Sequence, residues 1–216
     1  MPSEMTSTRT IDFDHLRIAY DDRVLTPRPW TAQQSRWAAE LIAAAPPGPV
    51  LELCSGVGHI GLLAIALAPR PLVCVDVSPV ACDYTRHNAA AAGLGELVEV
   101  RQGRLEEVLR AEERFPVVIA DPPWVPSAET RRFPEDPVVA IDGGADGLEL
   151  ARACLRVVAA HLTAPGDVVL QVGTRAQCAT LAAECDRLTL VETRYGQRGV
   201  LARFTSGTPR AGTGRP

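Results

Sequence analysis

The feature that most constrains this chain is a short apolar run followed at once by a glycine-rich turn. Residues 50–61 read V-L-E-L-C-S-G-V-G-H-I-G, with glycines spaced as G-x-G-x-x-G. The apolar run predicts a strand buried in a parallel sheet, and the residues after the turn predict a helix from about Ile60. Glycine lets the backbone turn sharply and approach a ligand closely. The segment therefore predicts an α/β fold with a nucleotide-type loop after this strand.

Two acids belong to the same pattern. Asp76 ends the next apolar run, L-V-C-V-D, at the spacing expected for a carboxylate that binds the hydroxyl pair of a ribose. The loop and this acid fit a nicotinamide dinucleotide as well as S-adenosylmethionine. Glu52 favours S-adenosylmethionine, because that molecule carries an ammonium and a sulfonium group to meet an acid. A glycine turn without a ligand is the third interpretation.

A second informative segment is the tetrapeptide D-P-P-W at residues 121–124, which follows the apolar run F-P-V-V-I-A. It is expected at the carboxyl end of a strand, where open α/β sheets bind ligands. The two prolines lack N–H donors and have fixed φ angles, so this stiff segment offers carbonyl acceptors. Asp121 can accept a further N–H, and the Trp124 indole can stack on a planar group or contact a cation. The segment predicts a site for a nucleophilic nitrogen, with an ordinary acidic proline turn as the alternative.

Together these segments resemble those of class I S-adenosylmethionine-dependent methyltransferases, and in particular the protein-glutamine N5-methyltransferase (HemK-type) family. Four segments carry the resemblance: residues 24–31 (V-L-T-P-R-P-W-T), 52–58 (E-L-C-S-G-V-G), 121–124 (D-P-P-W) and 141–150 (I-D-G-G-A-D-G-L-E-L). It implies a Rossmann-like α/β fold with a mostly parallel seven-stranded sheet and a C-terminal antiparallel hairpin. It also implies N-methylation with S-adenosyl-L-methionine as the cofactor.

The resemblance assigns residues to each part of the site. The implied cofactor contacts are Glu52, Cys54, Gly56, Gly58 and Asp76. The residues implied to hold the nucleophile are Asp121, Pro122, Pro123 and Trp124. Those implied to face the methyl acceptor from the N-terminal side are Arg28, Pro29 and Trp30. The segment from Val125 to Gly144, rich in proline and charge, is expected to cover the acceptor.

Three positions depart from the family pattern. Asp121 stands in place of the family's Asn, Trp30 in place of an acid, and Arg104 in place of an acid that meets adenine. We therefore expect backbone or apolar contacts to hold adenine. An ionised Asp only accepts hydrogen bonds, whereas Asn also donates. This difference favours an amine over a glutamine amide as the nucleophile.

The net charge and the length of the chain bear on which methyl acceptors and partners are expected. The net charge of −4 argues against a nucleic-acid acceptor, although Asp-Pro-Pro-aromatic also occurs in methyltransferases acting on DNA adenine. A protein or peptide side chain and a small amine both remain open as acceptors. Two alternative functions also remain open, those of a metabolite N-methyltransferase and of a catalytically silent S-adenosylmethionine-binding protein. Only ten residues precede Ile11, so we expect no counterpart of the family's N-terminal domain that grips a release factor.

The remaining features concern organisation. We expect one methyltransferase domain over residues 11–205 between mobile tails at residues 1–10 and 206–216. A hairpin turning at Asp21-Asp22 should open the domain, and Thr31 with Gln34 should form a capping box for the next helix. The six cysteines form no C-x-x-C pair, so no metal site is expected. Without a signal peptide or a membrane-spanning run, a cytoplasmic protein is expected.

Overall fold

A seven-stranded sheet dominates the fold in the computed structural model, which describes residues 7–206. The strands of these residues are β1 (Arg9–Phe13), β2 (Leu16–Tyr20), β3 (Val50–Leu53), β4 (Leu72–Asp76), β5 (Val98–Gln102), β6 (Phe115–Ala120), β7 (Leu162–Val172), β8 (Thr189–Tyr195) and β9 (Val200–Ser206). The first two form a separate hairpin, and the others form one sheet in the order β5-β4-β3-β6-β7-β9-β8. The strands β3 to β7 run parallel, whereas β9 is antiparallel to both β7 and β8. The predicted mostly parallel seven-stranded sheet with a C-terminal antiparallel hairpin is confirmed.

Helices cover both faces of the sheet. They are α1 (Ala32–Ala44), α2 (His59–Leu67), α3 (Pro79–Ala91), α4 (Val138–Ile141), α5 (Glu149–His161) and α6 (Arg175–Glu184). One apolar cluster joins α1 and α2 to the sheet and contains Trp37, which is 1% exposed, as predicted for a core residue. A second cluster joins α5 and α6 to the opposite face. Because β3 and β6 are buried along their whole length, their sequences are almost entirely apolar, with Glu52 of β3 as the exception.

The N-terminal hairpin turns at a different place from the prediction. The turn lies at Asp14 and His15, and Asp14 has φ +56°. Asp tolerates this left-handed conformation better than most residues. Asp21 instead lies buried after β2, where it accepts hydrogen bonds from Arg23 and from the Tyr84 hydroxyl. The prediction of a turn at Asp21-Asp22 was therefore wrong.

The predicted capping box at the start of α1 was also wrong. The Thr31 hydroxyl donates to the Arg28 carbonyl oxygen at 2.8 Å, and no side chain caps α1. The Gln34 amide turns inward and donates to the carbonyl oxygens of Ala120 and Val169, at 3.0 and 3.1 Å. Gln34 does not cap α1, because the first turn of this helix packs onto the sheet and the buried Gln34 amide donates to strand carbonyl oxygens instead. A capping box is present at α6, between Thr174 and Gln177.

The described part of the chain sets the remaining boundaries. The first strand begins at Arg9, two residues before the predicted start of the domain, and β9 ends at Ser206, one residue beyond its predicted end. The predicted mobile tails lie mostly outside residues 7–206. No helix in this range has the length and apolar character needed to span a membrane. Within the same range, no cluster of three or more His, Cys, Asp or Glu side chains could hold a metal ion.

Candidate active site

The turn between β3 and α2 forms one wall of a cavity at the carboxyl edge of the sheet. Gly58 has φ +80°, and a Cβ atom there would lie 2.7 Å from Thr85 Cγ2. Its N–H donates to the Ser55 carbonyl oxygen at 2.8 Å, which closes the turn just before α2 begins. Only glycine meets both the conformational and the steric requirement at residue 58. The sequence pattern therefore identified a loop whose shape depends on its glycines.

Asp76 fastens this turn to the end of β4. One carboxylate oxygen accepts from the Gly56 N–H at 2.8 Å, and the other accepts from the Ser78 N–H at 2.9 Å. Burial raises the pKa of Asp76, while these backbone donors act against the increase. Asp76 lines the cavity, as expected for a carboxylate that binds a ribose.

This first cavity, called here the cofactor cavity, holds about 1170 Å³ of space open to solvent. The predicted residues Cys54, Gly56 and Asp76 line it, together with Asp121 and Pro123, whereas the predicted Gly58 shapes the turn but does not line the cavity. Gly103, Arg104 and Leu105 form another part of its wall. The Arg104 side chain is 69% exposed, so backbone and the Leu105 side chain supply the inner surface there. That backbone or apolar contacts hold adenine stays a prediction, and Gly103 and Leu105 are placed to supply them.

Glu52 lies behind the turn and does not line the cofactor cavity. Its carboxylate accepts from the Gly61 N–H at 2.9 Å and from the Cys74 thiol at 3.3 Å. Burial raises the pKa of Glu52 to about 8, and the nearby acids Asp121 and Asp76 contribute to the increase. The structure thus corrects the predicted cofactor contact: the side chain of this buried residue is directed at the first turn of α2.

A second cavity, called here the acceptor cavity, adjoins the first and has about 560 Å³ of space. Its walls carry the aromatic side chains of Trp30, Trp124 and Phe133. The acceptor cavity and the cofactor cavity share Asp121 and Pro123. Pro122 lines the acceptor cavity but not the cofactor cavity. The segment of residues 121–124 therefore lies where the two cavities meet.

Asp121 is the titratable group at this junction. Its carboxylate makes no hydrogen bond with residues 7–206, and burial raises its pKa to about 7. Both the ionised and the protonated form are therefore populated near neutral pH. The protonated form has an O–H donor, which an ionised Asp lacks. The sequence argument that Asp121 can only accept hydrogen bonds holds only for its ionised form.

The segment between residues 125 and 144 folds over the acceptor cavity. Val125 N–H donates to the Ile141 carbonyl oxygen at 3.0 Å, and Gly143 N–H returns to the Val125 carbonyl oxygen at 2.8 Å. These bonds fix both ends of the segment. Its residues Phe133 and Asp136 line the cavity, which agrees with the expectation that this segment covers the acceptor.

The N-terminal side of the acceptor cavity is built by residues 28–30. The Arg28 guanidinium donates to both oxygens of Asp136, at 2.6 and 2.7 Å, and so joins this segment to the covering segment. The Trp30 ring lies between the guanidinium groups of Arg28 and Arg198, whose Cζ atoms are 5.8 and 5.6 Å from the ring centroid. Arg28 and Trp30 line the cavity as predicted, whereas Pro29 begins a short 3-10 turn and lines neither cavity.

Sequence reasoning missed Gln171, and His59 is a further residue that lines one of the cavities. Gln171 lines the acceptor cavity beside Asp121, at the carboxyl end of the apolar strand β7. The same signal that identified Asp121, a polar residue at the end of an apolar strand, applies to Gln171. His59 lines the cofactor cavity and packs edge-on against Phe13 with ring centroids 4.9 Å apart. Burial lowers the pKa of His59 to about 3, so its ring is neutral.

Comparisons with known proteins show which sequences and folds this chain is similar to. Residues 26–132 match the family described as conserved hypothetical protein 95. The ribosomal protein uL3 glutamine methyltransferase of Bordetella pertussis is 32% identical over 167 residues, which is 73% of this chain and 55% of that protein. The release factor glutamine methyltransferase of Deinococcus radiodurans is 32% identical over 182 residues, which is 82% of this chain and 64% of that protein. The chain thus spans less than two thirds of the length of these curated relatives.

Among solved structures, the N-terminal domain of human METTL16 in complex with SAH has a TM-score of 0.64 with this chain. The match covers 88% of this chain and 75% of that chain at 16% identity, and it concerns the fold alone. This chain therefore has the fold of the class I S-adenosylmethionine-dependent methyltransferases and, in sequence, is similar to the ribosomal protein uL3 and release factor glutamine methyltransferases.

Proposed function

We propose that this protein is an S-adenosylmethionine-dependent methyltransferase that transfers a methyl group to an amide or amino nitrogen, of the protein-glutamine N5-methyltransferase type. One observation carries the proposal: the cofactor cavity and the acceptor cavity meet at Asp121 and Pro123. The two cavities also share Leu25 and Ala140, and among the four shared residues Asp121 alone has a polar side chain that can hold a reacting group where the cavities meet. The two glutamine methyltransferases with similar sequences support the same reaction.

The residues present fit the proposed cofactor. Asp76 and Asp121 give the cofactor cavity two acids, and Glu52 lies buried behind its wall. Burial, and to a smaller extent the charges of Asp121 and Asp76, raise the pKa of Glu52, so a cationic ligand is favoured beside these acids. Asp76 and the turn at Cys54 and Gly56 would hold the nucleoside and amino-acid parts. When bound, S-adenosyl-L-methionine supplies a methyl group that its sulfonium has already activated.

The chain's own residues then have two tasks, orientation and exclusion of water. Asp121 and the Pro122 carbonyl oxygen would direct the nitrogen lone pair toward the cofactor cavity, and Asp121 would accept the proton that leaves. Positive charge develops on the nitrogen beside that carboxylate, where it is stabilised. Good orientation can lower a barrier by about 7 to 11 kcal/mol. The three aromatic side chains of the acceptor cavity would keep water from the junction.

A protein or peptide side chain is the acceptor that we propose. Both curated relatives are named for protein substrates, and the net charge of −4 does not suit a nucleic acid. The Asp121 carboxylate lines the acceptor cavity and can accept from an amide N–H, so the replacement of the family's Asn is compatible with a glutamine acceptor. A cytoplasmic location remains a prediction from the sequence.

The test is calorimetric binding of S-adenosylhomocysteine, with NADH as the competing ligand. We expect micromolar binding by the wild type, loss of binding in Asp76→Ala, and no binding of NADH. Asp83→Ala is the matched control, because Asp83 lies on α3 with its side chain 79% exposed and lines neither cavity. Preference for NADH, or equal affinity in the two variants, would refute the proposed cofactor site.

A further inference from the structure

Gln171 is the polar residue nearest to Asp121 along the sheet. In the parallel pairing of β6 with β7, Ala120 lies opposite Leu170. The next residues, Asp121 just after β6 and Gln171 near the end of β7, therefore lie side by side. Adjacent strands are about 4.8 Å apart, and side chains at equivalent positions lie on the same face. Both side chains line the acceptor cavity, and Gln171 does not line the cofactor cavity.

The Gln171 amide has no partner within the described fold. The residue is 4% exposed, its side chain makes no hydrogen bond with residues 7–206, and its amide is not among the fully buried polar groups that lack a partner, so the amide is open to the cavity. A ligand that fills the cavity would cut this amide off from water, and an unpaired buried donor or acceptor is costly. Since Gln171 lines the acceptor cavity, a group bound there is the partner that its position allows. The Asp121 carboxylate, also without a hydrogen bond, faces the same space.

The two unpartnered groups complement one kind of acceptor. A primary carboxamide presents N–H donors and a carbonyl acceptor within one plane, whereas an ammonium group presents donors only. The Asp121 carboxylate can accept from the nitrogen, and the Gln171 NH₂ group can donate to the carbonyl oxygen. An amine would leave the Gln171 donor buried and unpaired, which is how a site built for hydrogen bonding rejects an incomplete ligand.

We propose that Gln171 is a specificity residue that donates a hydrogen bond to the carbonyl oxygen of a carboxamide acceptor and, with Asp121, selects a carboxamide over an amine. This inference rests on the proposed methyl transfer and names its acceptor class. It assigns the two polar groups of the acceptor cavity different roles. Asp121 holds the nitrogen that reacts, and Gln171 fixes the plane of the amide.

The experiment uses two probes of matched shape, N-acetylglutamine methylamide and N-acetylornithine methylamide. Each is titrated into the protein saturated with S-adenosylhomocysteine, and binding is followed by NMR chemical shifts. The variants are Gln171→Glu, which keeps the shape but removes the donor, and Gln171→Leu, which removes both polar atoms. Gln33→Glu is the control, because Gln33 lies on α1 and lines neither cavity.

We expect the wild type to bind the glutamine probe more tightly than the ornithine probe. Gln171→Glu should weaken binding of the glutamine probe about tenfold, the equivalent of about 1.4 kcal/mol, without weakening binding of the ornithine probe. Gln171→Leu should show the same loss for the glutamine probe, and Gln33→Glu should match the wild type. Binding of S-adenosylhomocysteine should be the same in all four proteins.

Three results would overturn the role of Gln171. They are no binding of the glutamine probe by the wild type at tens of millimolar, equal losses for both probes in Gln171→Glu, or no loss for either probe. The failure of the proposed function looks different, because the wild type would then not bind S-adenosylhomocysteine at all. Retained cofactor binding with an unchanged probe preference would refute the Gln171 inference alone.

Discussion

Replacing Asp121 with Asn should stabilise the protein, and more so as the pH rises. The folded state holds Asp121 with a pKa of about 7, whereas an unfolded Asp titrates near 3.8. Between these two values the folded state binds more protons than the unfolded state, so stability falls as the pH increases through this window. Below about pH 4 the carboxyl is neutral in both states, and the contribution vanishes. Asn removes the titration and keeps the shape.

The magnitude follows from the two pKa values. Linkage gives an upper limit of about 3 kcal/mol for the stability that Asp121 removes between pH 5 and pH 8. Because Asp121 remains partly exposed to the cavity, solvent screening reduces this limit, and about 1 to 2 kcal/mol is the expected change. Burial raises the pKa of Glu52 to about 8, so Glu52 also makes the unfolding free energy of the wild type fall as the pH rises. The difference between Asp121→Asn and the wild type isolates the contribution of Asp121.

Urea unfolding at about pH 5 and pH 8 measures this difference directly. The advantage of Asp121→Asn in unfolding free energy should grow by about 1 to 2 kcal/mol between the two conditions. Asp83→Asn, at an exposed position on α3, should differ from the wild type equally at both pH values. A constant difference for Asp121→Asn would refute the reasoning, because it would mean that the carboxyl is ionised at both pH values.

Two further substitutions test the cofactor side. Glu52→Gln should increase the unfolding free energy at neutral pH, because it removes a buried carboxyl group with a raised pKa. Because Glu52 lies behind the turn, the affinity for S-adenosylhomocysteine measured by calorimetry should not change. A loss of affinity above tenfold would instead mean that Glu52 contacts the cofactor. Gly58→Ala should lower the unfolding free energy by about 1 to 3 kcal/mol in urea and weaken binding, since its φ is +80° and its Cβ would meet Thr85. Gly95→Ala, whose Cβ would meet only Ala90 at 3.8 Å, is the control and should change neither quantity; equal effects of the two would contradict the steric argument.

Local patterns predicted the parts of the fold that local physics determines. The strands β3, β4 and β6 are mostly apolar, apart from Glu52 in β3 and Asp76 at the end of β4, because parallel strands are buried on both faces. Candidate site residues stand at the carboxyl ends of these strands, and the structure places Asp76 and Asp121 at that edge of the sheet. Position along the strand was therefore predictable, whereas the direction of each side chain was not. Glu52 shows this limit, since its carboxylate is directed at α2.

Long-range contacts decided the features that the sequence did not predict correctly. Apolar residues flank both Asp14 and Asp21, and only packing against α3, where Tyr84 donates to Asp21, distinguishes the turn from the buried acid. The spacing of Thr31 and Gln34 matches a capping box, but the sheet beneath α1 supplies stronger partners for Gln34. Gln171 belongs to the site because β7 lies next to β6, and strand order is not visible in any single segment.

The position of Gln34 has a consequence for how such a protein can change its acceptor during evolution. Its amide fastens α1 to Ala120 on β6 and to Val169 on β7, one and two residues before Asp121 and Gln171. The spacing of the two strand tips is therefore maintained from beneath, by a side chain that lines neither cavity. Substitutions in residues 28–30 at the rim, or in the covering segment joined to them by Arg28 and Asp136, therefore leave this anchoring of the strand tips in place.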